Sequence, residues 1–136
     1  MVEVVNRQRR LRLDTGVWST FAARALDAVG KRDASATIAF VSDSRMRRLN
    51  RQFRGSDRTT DVLSFPAGDT DDLNLGDIAI SVETAALQAK ENGLSFDEEI
   101  AQLILHGLLH LAGYDHETDD GEMNRLELKL RKSLGI

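Results

Sequence analysis

Apolar residues along this chain switch between two periods, and the switches mark its elements. Val2 to Val5 is a short β-branched run. Ala36 to Val41 (ATIAFV), Asp61 to Phe65 (DVLSF) and Asp77 to Val82 (DIAISV) are also strand-like, and Pro66 ends the third run. Elsewhere the spacing changes to three and four. Val17, Phe21, Ala25, Leu26 and Val29 predict a helix that stops at Gly30. Met46, Leu49 and Phe53 share one face of a second, from about Ser44 to Phe53, capped by Ser42 or Asp43. Glu83 to Asn92 is an alanine-rich helix closed by Gly93. Ser95 with Glu98 forms a capping-box pattern and opens a helix to about Ala112. Thr118 or Asp119 caps the last helix, which runs to about Leu134 with Met123, Leu126 and Leu130 inward and Glu127 and Arg131 one turn apart. The acidic stretch AGDTDDLNLG reads as turn, and the loop from Gly68 to Asp77 reads as solvated rather than as a lid. The pattern predicts an α/β (α+β) domain: a mixed sheet of about four strands packed with about five helices.

Composition narrows the class. The chain has 136 residues, one proline, no cysteine and a net charge of −4. That length suits one domain over residues 1–136 with a single core. Without cysteine there is neither a disulfide framework nor a thiolate metal site, which fits a cytoplasmic protein. No apolar run approaches the ~20 residues that span a bilayer. The basic N-terminus lacks the apolar stretch of a signal peptide. No membrane partner is expected.

All three histidines fall in HGLLHLAGYDH, His106 to His116. Their spacing, H-x-x-x-H-x-x-G-x-x-H, is the ligand frame of long-motif zinc peptidases, so the helix that carries them is a zinc-peptidase-like metal helix. His106 and His110 project from one helix face. Gly113 accepts a left-handed conformation and can turn the chain so that His116 swings towards the pair. Three neutral imidazoles suit one tetrahedral zinc with an open position, the mark of a catalytic site. Nickel, cobalt or copper could bind the same set. Glu99, two turns before His106, could orient a histidine ring.

The frame departs from the peptidases at Gly107, where they carry the glutamate that is their general base. Amide cleavage needs that proton transfer, unless Asp115, Glu117 or another carboxylate supplies it. Phosphodiester cleavage instead needs positive charge around the non-bridging oxygens. The segment from Arg45 to Arg58 offers it, with six arginines against one aspartate. Arg54, at a helix end beside Gly55, is the candidate catalytic arginine. Arg51, Arg54 and Arg58 are the candidates for binding substrate phosphate, while Arg45, Arg47 and Arg48 read equally well as a solvated face. Aromatic residues are too scarce for extensive base stacking.

HGLLHLAGYDH, with the upstream LNRQFRGSDRTTDVLSFP and LGDIAIS, resembles the bacterial YbeY family of rRNA maturation factors. The resemblance runs from the Ala36 strand to the last helix. It implies a small α/β fold and a single-strand-specific, metal-dependent endoribonuclease acting in 16S rRNA 3′-end maturation and ribosome quality control. It also implies ribosomal RNA and the small ribosomal subunit as partners rather than DNA, one metal ion on His106, His110 and His116, and a functional Arg54. Thr59 stands where members of the family often have proline, which removes no chemical group. Two other readings share the metal frame. One is a non-catalytic ribosome-assembly or RNA-binding factor with a structural metal. The other, a metallopeptidase, is opposed by Gly107.

Overall fold

A computed structural model describes residues 1–68, 73–115 and 118–136. The elements follow in the order β1 (Val2–Asn6), α1 (Thr15–Ala28), β2 (Ser35–Val41), α2 (Asp43–Arg54), β3 (Val62–Pro66), β4 (Asn74–Ser81), α3 (Val82–Asn92), α4 (Phe96–Leu111) and α5 (Glu122–Leu134). The sheet order is β1-β2-β4-β3. β1, β2 and β4 run parallel, and β3 runs antiparallel along β4 as an edge strand. This is the mixed α/β architecture that the hydrophobic pattern predicts.

Period two sorts each strand between two faces. Ala36, Ile38, Phe40, Ile78 and Ile80 join the main core with residues of α1, α3, α4 and α5. Val41, Leu63 and Ala79 turn the other way and pack with Met46 of α2. α4 lies at the centre of the helical layer. It meets the sheet, α1, α3 and α5 together, so it is apolar nearly all round. Leu105, Leu108 and Leu109 have no exposure, and each contributes about 1.5–3 kcal/mol by leaving water. The capping box at its start is complete: Ser95 accepts from the Glu98 amide and Glu98 from the Ser95 amide, each at 3.0 Å.

Two boundaries and one buried position differ from the sequence expectation. β4 starts at Asn74, inside the stretch read as a loop, because it continues the ladder beside β2 and β3. Asp69 to Asp72 of that stretch lie outside the described residues. α5 starts at Glu122 after Gly121, later than a cap at Thr118 or Asp119 implies. Asp119 still serves the helix start from a distance, accepting from the Gly121 amide at 2.8 Å and the Met123 amide at 3.0 Å. Phe53 is not inward with Met46: it is 58% exposed and sets its ring edge-on against Phe65.

Asp43, the first residue of α2, ties four segments together. Its carboxylate accepts hydroxyl hydrogen bonds from Thr59 at 3.1 Å, Thr84 at 2.6 Å and Ser81. Burial pushes this carboxyl up, but the bonds from Ser81, Thr84 and Thr59 outweigh it and hold it below the ordinary carboxylate range. A carboxyl depressed by folding adds stability above its unfolded pKa, and that stability disappears as pH falls through its folded value. Asp43→Asn is therefore expected to lower the melting temperature at neutral pH, with the gap to the parent closing below about pH 4. Thermal melts of both proteins across that range check it; a gap that stays constant would contradict it.

Candidate active site

His106 and His110 leave α4 on the face that looks towards β3, and the helix brings their rings together. The two Nε2 atoms stand 3.1 Å apart, with the rings nearly perpendicular. His106 Nδ1 lies 2.8 Å from Glu127 Oε1 on α5. With the Nδ1 proton donated to that carboxylate, the Nε2 lone pair faces His110 and the cleft. Arg131 donates to the other oxygen of Glu127 at 3.1 Å. Burial raises the Glu127 pKa, but the hydrogen bond from His106 and the favourable electrostatics of His106, Arg131 and His110 more than offset it, so the carboxyl sits below its ordinary range.

Glu127 is the orienting carboxylate that sequence reasoning missed. Its spacing to Arg131 reads as a surface helix pair, whereas it is 7% exposed and aimed at α4. Glu99, the expected candidate, is also buried, but its carboxylate accepts from Asn92 at 3.4 Å and turns towards α3. Gly113 does adopt the left-handed conformation, with φ 102°, and ends the α4 turn as expected. His116 and Glu117 lie outside the described residues. Among the described residues, no group of three or more histidine or carboxylate side chains forms a metal cluster.

The imidazoles open into a cleft of about 620 Å³ between α4 and β3, and Arg54 reaches it from the end of α2. α2 stops there because Gly55 takes the left-handed cap, so the arginine projects from a helix terminus beside the Thr60 and Asp61 entrance to β3. Asn50 braces this corner by donating to the Arg58 carbonyl at 2.9 Å. The other arginines fall elsewhere. Arg51 lies on a separate groove with Arg47, and both are within 3.6 Å of Asp57. Arg58 contributes its carbonyl to Asn50 and does not line the cleft. Of the three substrate-binding candidates, only Arg54 shares the histidine cleft. Asp115 and Tyr114 also line that cleft.

Gly107 faces away from this chemistry. A Cβ there would lie 2.9 Å from Ile78 Cδ1 and 3.1 Å from Ile78 Cγ2, so the position points into the sheet, and its lack of a side chain lets α4 seat on β4. The family described as Endoribonuclease YbeY matches residues 3–135 of this chain. The chain belongs to that family. The Endoribonuclease YbeY of Geobacter sulfurreducens is 41% identical, with 99% of this chain and 94% of the relative covered. That of Koribacter versatilis is 52% identical, with 87% and 76% covered. The solution structure of TM1509 from Thermotoga maritima superposes with a TM-score of 0.71 at 30% identity, covering 98% of this chain and 89% of that one. Among the described residues no helix is long and apolar enough to cross a membrane. YbeY membership spans the helices and strands that build the cleft, so the site belongs to the shared part of the fold.

Proposed function

We propose that this chain is a metal-dependent endoribonuclease that cuts single-stranded RNA. We further propose that it acts in the cytoplasm on the 3′ end of 16S rRNA, with the small ribosomal subunit as partner, in ribosome maturation and quality control. The observation that carries the reading is the meeting of two imidazole nitrogens and the Arg54 guanidinium in one cleft, in a chain of the YbeY family.

The donor set fits a zinc ion. Two nitrogens at 2.0–2.1 Å from a tetrahedral zinc stand about 3.3 Å apart. The Nε2 separation of 3.1 Å matches that within the movement of a side chain. His106 and His110 would hold the ion together with His116. When bound, it supplies positive charge that polarises a phosphoryl oxygen and acidifies water. The chain's own groups do the rest. Arg54 pairs with the scissile phosphate and stabilises the charge that builds on its oxygens. Glu127 fixes the His106 ring, and Arg131 fixes Glu127.

The test is metal analysis of the purified protein, with cleavage assays on single-stranded and duplex RNA. Arg54→Ala is expected to slow cleavage about 10²–10³-fold without loss of fold. Full activity in that variant, or in the presence of a chelator, would refute the reading. Glu127→Gln is expected to weaken zinc binding about 10–100-fold, because the ring keeps a neutral acceptor but loses the carboxylate. Titration against a competing chelator measures that, and unchanged affinity would show that Glu127 serves packing alone. If His116→Ala loses metal yet keeps RNA binding and 16S maturation, the ion is structural and the chain is a non-catalytic assembly factor.

A further inference from the structure

The register of β3 divides its backbone groups into two sets. The Ser81 amide donates to the Asp61 carbonyl and the Ala67 amide to the Leu75 carbonyl, so residues 61, 63, 65 and 67 turn their groups to β4. The groups of Val62, Ser64 and Pro66 point the other way, where the sheet ends. Those three residues line the cleft shared by His106, His110 and Arg54.

An open edge of this kind normally invites another strand. Here two of the three possible donors are gone. Pro66 has no amide, and the Asp61 carboxylate accepts the Val62 amide at 2.8 Å. One amide remains, at Ser64, beside three carbonyl acceptors. A peptide strand needs donors and acceptors in alternation and is poorly matched to this edge. A ligand that carries hydroxyl donors matches the carbonyls, and the Ser64 amide with Arg54 leaves one place for a negatively charged oxygen.

On the RNA-cleaving reading above, we propose that the open edge of β3 reads ribose. The Val62 and Ser64 carbonyls accept hydrogen bonds from the 2′-hydroxyls of nucleotides flanking the scissile step. The Ser64 amide donates to a phosphate oxygen, and Arg54 neutralises the phosphate charge. DNA brings no hydroxyl there and leaves a carbonyl unpaired, so the edge discriminates RNA from DNA through backbone atoms alone.

The experiment uses the full chain with its metal and a series of single-stranded RNA oligonucleotides. In each, one ribose outside the scissile step carries hydrogen or fluorine in place of the 2′-hydroxyl. Fluorine keeps a ribose-like pucker but cannot donate. At one or two positions both replacements are expected to lower kcat/KM about tenfold, and elsewhere neither has an effect. Amide exchange at Ser64 is expected to slow when RNA binds, while that of Val62, already bonded within the protein, changes little. Fluorine tolerated at every position of a normally cleaved RNA would overturn the edge assignment and leave the activity standing. So would unchanged Ser64 exchange, or competition by a strand-forming peptide. Absence of RNA cleavage altogether would overturn both.

Discussion

Gly107→Glu, which restores the zinc-peptidase motif, is expected to unfold the protein rather than turn it into a peptidase. The added Cβ alone would press to 2.9 Å from Ile78, which is 1% exposed on β4. Overpacking at such a place costs about 1–3 kcal/mol, and the rest of the glutamate would put an unpaired charge between helix and sheet at a cost of several more. The sum is comparable to the whole stability of a small domain, about 5–15 kcal/mol. Soluble yield and circular-dichroism melts measure it. Gly107→Ala is the milder companion, losing at most about 2 kcal/mol once the roughly 1 kcal/mol of better helix propensity is subtracted from the overpacking cost. A Gly107→Glu protein that melts with the parent would show that α4 does not seat on β4 as described. The missing base is thus also a packing requirement: in this fold position 107 belongs to the sheet interface.

His110→Ala should abolish stoichiometric metal binding and reduce RNA cleavage about a thousandfold or more. An ion that stabilises the phosphoryl transition state is worth several kcal/mol, and each 1.36 kcal/mol is a tenfold change in rate. The fold should survive, because His110 is only half-buried on the cleft side of α4 and its helix is held by the leucines on the other faces. Metal content, melting temperature and cleavage rate should be measured on one preparation. Loss of cleavage with metal retained would leave His110 a role other than ligation, and full cleavage with metal lost would end the metal-dependent reading.

Much of this site is legible along the chain. The spacing of His106 and His110 determines that they share a helix face, and the capping box at Ser95 determines where that helix begins. The density of arginine before β3 determines that a guanidinium stands near the strand entrance. The four strands and five helices among the described residues follow from the same periodicity, since burial of one face per element needs only the local order of residues.

What periodicity cannot convey is which face meets which. Arg51 and Arg54 are neighbours on α2, yet Arg51 lies beside Asp57 on an outer groove, and only Arg54, at the helix terminus, enters the histidine cleft. The sequence offers Glu99 as the partner for His106, two turns away on the same helix, whereas the packing of α5 across α4 brings Glu127 there instead. The open carbonyls of β3 emerge only from its antiparallel pairing with β4, which no local pattern encodes. By itself the sequence determined the elements, their buried faces and the inventory of chemical groups. The tertiary structure alone decided which groups converge, because side-chain direction within an element is a local property, whereas proximity between elements depends on how all of them pack around one core.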